Sequence, residues 1–276
     1  MIKTHYKFRD SVLSFTYPKI MGIVNVTPDS FSDGGKFFDS ANSVDHALKL
    51  IDEGADIIDV GGESTKPGSD AVSLEVELNR TIPVIKKIRE LNKNIIISID
   101  TTKSEVARIA LESGADIIND ISGLTFDAEM INVAKEFNAG VVIMHIKGNP
   151  KTMQNNPTYK NVVEEINLFL EIQSDKAKNN GIEKIIIDPG IGFGKTVEDN
   201  FILIKNLNSF QKLGYPIMVG LSRKSFIGKT LNLNIDERDL PTVIMETVSV
   251  INSARIIRTH NVKYCMQMVK LAQQFL

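Results

Sequence analysis

The feature that most constrains this chain is a recurrence. Short runs of β-branched and aliphatic residues return eight times, and nearly every one is followed by turn residues and then a helical pattern. The runs are Lys19–Asn25, Ile57–Val60, Ile95–Asp100, Ile117–Asp120, Val141–Met144, Ile185–Asp188, Ile217–Gly220 and Arg255–Arg258. Several are apolar without alternation, as strands of a parallel sheet covered on both faces are. Such a βαβα order predicts an α/β fold. The chain has 276 residues and no linker or low-complexity stretch. A single domain over residues 1–276, closed as a parallel (β/α)8 TIM barrel, is therefore expected in preference to an open doubly wound sheet.

The segments between the runs carry helical stripes. Val44, Ala47, Leu48 and Ile51 follow i, i+3, i+4, i+7 spacing, as do Met130, Val133, Ala134, Phe137 and Val262, Cys265, Met266, Val269. Thr102 with Glu105 predicts a capping box for the helix of Val106, Ile109 and Ala110. Pro83 interrupts the apolar pattern from Leu74 to Leu91, which predicts a kinked helix or two shorter ones. Cys265 is the only cysteine, so no internal disulfide can form, and its place in an apolar stripe predicts a core thiol.

Polar residues collect where the strands end. Asn25, Asp100, Asn119, His145, Asp188 and Arg258 all fall at or just beyond a carboxyl end, the face on which barrel enzymes build their sites. Buried carboxylates and amides are costly unless paired, so a mouth lined this way predicts a ligand rich in N–H and C=O groups. Ser222-Arg223-Lys224-Ser225 after the seventh strand, with Arg258 and His260 at the eighth, predicts an anion site where such barrels commonly hold phosphate.

Other chemistries lose their support. Gly194-Lys195-Thr196 and Gly228-Lys229-Thr230 lack the first glycine of a Walker loop, and Gly190-x-Gly192 does not continue as a dinucleotide fingerprint. The four histidines are scattered, and no spacing suits zinc. A net charge of −2 argues against nucleic acid on a general basic surface. Nowhere does the chain approach the ~20 apolar residues of a membrane span, and the start lacks a signal-peptide core. A cytoplasmic protein with no membrane or nucleic-acid partner is the expectation.

Asn25-Val26-Thr27-Pro28-Asp29-Ser30-Phe31-Ser32-Asp33-Gly34-Gly35, the Gly61–Gly68 loop, the Asp188–Gly194 loop and Ser222-Arg223-Lys224-Ser225-Phe226-Ile227-Gly228 together resemble dihydropteroate synthase, in the right order from about Met21 to His260. The resemblance implies condensation of 6-hydroxymethyl-7,8-dihydropterin diphosphate with 4-aminobenzoate, giving 7,8-dihydropteroate and pyrophosphate. It also implies roles. Asp100, Asn119 and Asp188 would bind the pterin edges, with Lys224 on the carbonyl side and Arg258 over the ring. Arg258, His260 and Thr65 would meet the diphosphate, and Asn25 would hold Mg2+. Ser225 would take the 4-aminobenzoate carboxylate, and Phe31, Pro67 and Phe193 would wall its ring. Asp100, Lys224, Arg258 and His260 would form the catalytic set. Loops Thr27–Phe38 and Ser64–Ser69 would close over the substrates, and a homodimer through late barrel helices is implied.

Three positions depart from the family pattern: Lys66 stands for an arginine, Ile146–Pro150 differs from the usual segment after the histidine, and Asn261 replaces an aspartate. A pterin-binding methyltransferase domain or an inactive pterin-binding paralogue are the alternatives, and the Glu63-Ser64-Thr65 and Ser-Arg-Lys-Ser segments favour the synthase.

Overall fold

The computed structural model describes residues 3–27 and 36–275, with the side chains of residues 36–39 left out. The chain opens with an antiparallel hairpin, β1 (His5–Phe8) and β2 (Ser11–Ser14). The eight expected strands follow as β3 (Lys19–Asn25), β4 (Ile57–Gly61), β5 (Ile96–Asp100), β6 (Ile117–Asp120), β7 (Gly140–Met144), β8 (Ile185–Asp188), β9 (Ile217–Gly220) and β10 (Ala254–Thr259). Each pairs in parallel with the next, and β10 closes the ring on β3. The expected (β/α)8 TIM barrel is thus the observed fold.

Helices α1 (Lys36–Asp52), α2 (Leu74–Leu91), α3 (Ser104–Glu112), α4 (Met130–Glu136), α5 (Val162–Asn179), α6 (Val197–Lys205), α7 (Ser225–Leu231), α8 (Asp239–Ile251) and α9 (Val262–Ala272) alternate with the strands. Residues facing outward from the strands, such as Ile58, Val60, Ile97, Ile99, Ile185 and Ile187, pack under the helical stripes in the larger core. Cys265 is fully buried there, as its stripe predicts.

Of two local expectations, one is narrowed and one fails. α2 runs as one helix through Pro83, so the two shorter helices are not formed. Pro83 and Asn79 both lie on the exposed side, where water can satisfy the Asn79 carbonyl that the proline ring cannot serve. The Thr102/Glu105 capping box does not form, because Lys103 is the N-cap without a side-chain bond and the Ser104 N–H donates to Asp127 Oδ2 at 2.8 Å. A capping box does open α6, where Thr196 and Asp199 exchange bonds.

The hairpin was not legible as an element in the opening residues. Its buried Tyr6, Phe8 and Leu13, with Phe15, join the inward residues Met21, Ile57, Ile96, Ile117, Val142, Ile186, Met218 and Ile256 in one cluster. Those inward residues sit low on their strands, so the hairpin seals the amino-terminal end of the barrel. Tyr6 Oη donates to the Ile185 carbonyl at 2.6 Å, fixing the plug to β8. At the far side of the molecule α8 and α9 expose Leu240, Ile244, Ile251 and Leu271, each more than half accessible, beside Phe275. No helix among the described residues is long and apolar enough to cross a membrane.

Candidate active site

Side chains alternate along a strand, and in this barrel the alternation stacks a polar layer on the apolar floor. Two residues above inward Ile57, Ile117, Ile186 and Ile256 stand Asp59, Asn119, Asp188 and Arg258. On β5 the progression is Ile96, Ser98, Asp100. At the strand ends Thr65, Asp100, Asn119, Asp188, Phe193, Lys224 and Arg258 line one cavity. Ile121, Met144, Ile191 and Met218 supply its apolar surface.

Arg258 organises the charges. Its Nε donates to Asp59 Oδ2 at 2.6 Å and its Nη2 to Asp100 Oδ2 at 2.6 Å. Asn119 Nδ2 donates to the same Asp59 oxygen at 3.0 Å. Asp59 Oδ1 is buried with no hydrogen-bond partner among the described residues, an orphan acceptor at the base of the mouth. Asp59 was absent from the sequence reading because it lies inside an apolar run and not at its end. A charged residue at an inward register of a barrel strand is the signal that could have found it.

Burial dominates the titration of this cluster. It pushes Asp188 up to about 6, against the Gly190 N–H and the nearby Lys224 cation. Burial likewise drives Asp100 above the usual carboxylate range, with Arg258 pulling the other way. Lys224 is brought down to about 8 by burial and by Arg258, so it stays cationic at neutral pH. His260 is pushed down to about 3 by burial and then by Arg258, which makes it a neutral imidazole in the free protein.

The remaining expected residues are distributed around this centre. His260 Nδ1 meets Ser222 Oγ at 2.9 Å, and its Nε2 lies 3.5 Å from Asn25 Nδ2. Lys224 Nζ sits 3.8 Å from the centroid of the Phe193 ring. Ser225 is the first residue of α7 and is exposed, as are Lys66 and Pro67, and none of the three lines the cavity. Phe31 and most of the first loop lie outside the described residues. Arg223 does not face the cavity's ligand side; its guanidinium pairs with Asp239 at 2.7 Å, where Asn261 Nδ2 also donates. The second loop is rooted by Glu63, whose Oε2 accepts from Lys103 Nζ at 2.6 Å and from the Val72 N–H at 3.0 Å.

Among the described residues no three His, Cys, Asp or Glu side chains gather as a metal cage. Among the described residues Asn25 offers one neutral amide oxygen, and the nearby Asp59 and Asp100 each give one oxygen to Arg258. That donor fits a Mg2+ that arrives on a diphosphate and keeps most of its waters.

A family model described as pterin binding enzyme matches residues 21–260. The dihydropteroate synthase of Synechocystis is 47% identical over 92% of this chain and 88% of its own length. This chain belongs to the dihydropteroate synthase family. Two solved Xanthomonas albilineans dihydropteroate synthases, one with 4-aminobenzoic acid and one with 7,8-dihydropteroate, superpose with TM-scores of 0.92 and 0.88 at 37% and 35% identity. They cover 99% and 98% of this chain and are themselves covered over 98%. Family membership and the cavity therefore agree: the polar layer that the strand ends create is the one the pterin-binding family model spans.

Proposed function

We propose that this chain condenses 6-hydroxymethyl-7,8-dihydropterin diphosphate with 4-aminobenzoate, forming 7,8-dihydropteroate and releasing pyrophosphate. The carrying observation is the convergence of Asp100, Asn119, Asp188, Lys224 and Arg258 on one cavity in a chain whose family is established. Two carboxylates and an amide suit the alternating N–H and C=O edge of a pterin, and Lys224 suits its carbonyl. The orphan oxygen of Asp59 adds an acceptor beneath them.

In the reaction the bond between the exocyclic CH2 and the diphosphate oxygen breaks, and the amine nitrogen attacks that carbon, losing a proton to solvent. The aniline is already a neutral nucleophile, so no strong base is required. The electron-rich pterin spreads the developing positive charge, which Asp100 and Asp59, both held by Arg258, would stabilise. Arg258 is held between these carboxylates, with Thr65 at the cavity wall near the expected diphosphate. His260, neutral in the free protein, becomes a donor to the diphosphate when the bound charge draws a proton onto it. Asn25 would hold Mg2+, which when bound supplies neutralisation of charge on the leaving pyrophosphate. Phe193 would flank the 4-aminobenzoate ring. Exposed Ser225 at the α7 start, with Pro67 and Phe31 on the loops, would complete that side when the loops close.

The exposed apolar face of α8 and α9 supports a homodimer formed by a second copy of the chain, since contiguous apolar surface of this kind marks interaction sites. The synthase reading is tested by incubating the purified protein with the pterin diphosphate, Mg2+ and 4-aminobenzoate, omitting each in turn. Pyrophosphate in equal amount to dihydropteroate, dependent on all components, supports it. Pterin binding without pyrophosphate would turn the reading toward a silent paralogue.

A further inference from the structure

Behind the cavity wall lies a lysine that the reaction does not use. Lys195 is only 2% exposed. Its Nζ donates to the carbonyl of Phe193 at 2.9 Å and to that of His145 at 3.3 Å, and it lies 3.0 Å from His145 Nδ1. Burial brings Lys195 down to about 7; as an ammonium it donates to Nδ1, which leaves the imidazole proton on Nε2, and as a neutral amine it still donates to both carbonyls. Burial, with Lys195 beside it, holds His145 down at about 3, consistent with a neutral acceptor. With three acceptors engaged, Lys195 has no donor left for a substrate.

What it does hold is the turn that follows β8. Gly190, Gly192 and Gly194 take φ of +70°, +85° and +65°, so alternate residues of this turn sit in the left-handed region and resist little on their own. The turn is wrapped tightly on the lysine. A Cβ at Gly190 would come within 1.9 Å of the His145 carbonyl oxygen and 3.3 Å of Lys195 Nζ. The Asp188 backbone is held by the pairing of β8 with β7 opposite Met144, and its carboxylate accepts from the Gly190 N–H at 2.7 Å. Phe193, by contrast, hangs on the turn, and Lys224 rests on its ring.

We propose that Lys195 is a positioning residue for the 4-aminobenzoate side of the site, tying the Asp188–Thr196 turn to the end of β7 so that the Phe193 ring is set for the incoming amine. This rests on the reading of Phe193 as the 4-aminobenzoate wall. It predicts a split between the substrates that a general loss of folding would not produce.

The test compares wild type, Lys195→Met, Phe193→Leu and the double variant. In Lys195→Met the KM for 4-aminobenzoate rises about tenfold, as expected for a displaced wall, while the dissociation constant of the pterin diphosphate by calorimetry changes by less than about twofold. In the Phe193→Leu background the same substitution adds less than about twofold, because its effect passes through that ring. Unchanged KM, equal losses for both substrates, or additive effects overturn the inference. If Lys195→Met is insoluble, Lys195→Gln is read in the same way, and insolubility of both assigns Lys195 to the fold and overturns it too. A wild type that makes no dihydropteroate would instead strike at the synthase reading itself.

Discussion

Arg258 donates to Asp59 and Asp100 from two different strands, so the neutral replacement of either acid leaves a buried cation short of a partner. Asp100→Asn is therefore expected to lower single-turnover rates by about a hundredfold or more. Glu63→Gln, whose amide oxygen can still accept from Lys103 and Val72, costs less than about threefold; comparable losses would remove Asp100 from the catalytic set. Asp188 carries a pH consequence. Its pKa is raised to about 6, so the carboxylate proposed to accept from the pterin is present above that value and gains a proton as pH falls through it. Pterin affinity measured by calorimetry should weaken on acidification, approaching tenfold per unit below pH 6, with a flatter profile in Asp188→Asn. A flat wild-type profile would remove Asp188 from pterin binding. Asn119 and Asp188 were legible because they lie next to the end and at the end of their runs, whereas Asp59 was hidden between Ile58 and Val60, where only a register argument could turn it inward. Ser225 and Pro67 were legible by family pattern, yet both stand exposed, since their roles depend on substrates and on loop closure.

The strands were the easiest elements to read, because a barrel strand covered on both faces leaves an apolar run with little ambiguity. Four of the eight, β3, β6, β8 and β9, begin and end where their runs do. The helix start at Ser104 escaped because its cap is Asp127, 23 residues away, and no local pattern contains that partner. The hairpin escaped because its apolar residues alternate over only two short strands, and their burial depends on a barrel floor that the rest of the chain must build. On α8 the pattern conceals a strained acid. Glu246 is fully buried beside Thr259 and Cys265, and burial raises it from 4.5 to about 8. The folded protein thus keeps this proton to about pH 8 while the unfolded chain releases it near 4.5, so its contribution to stability falls as pH rises across that window. Glu246→Gln has no proton to lose. Its stability gain over wild type in chemical denaturation should widen by about 2 kcal/mol between pH 6 and pH 8; a constant difference would show that the carboxyl is already ionised in the native state.

For the whole molecule, the apolar face of α8 and α9 lies on the outer ring, away from the amino-terminal plug. Sedimentation of the wild type is expected to give a dimer, and Ile244→Glu, which places a charge on that face, a monomer. A monomeric wild type at micromolar concentration would leave the face without the partner proposed for it. The plug at the other end has a different consequence. With Tyr6, Phe8, Leu13 and Phe15 filling the floor, the barrel is a cul-de-sac with one doorway at the strand ends. Asn119 and Asp188 stand at its deep end, and Ser225 stands on its threshold. On the proposed roles, traffic must then be ordered, with the pterin entering before the aminobenzoate can be seated above it.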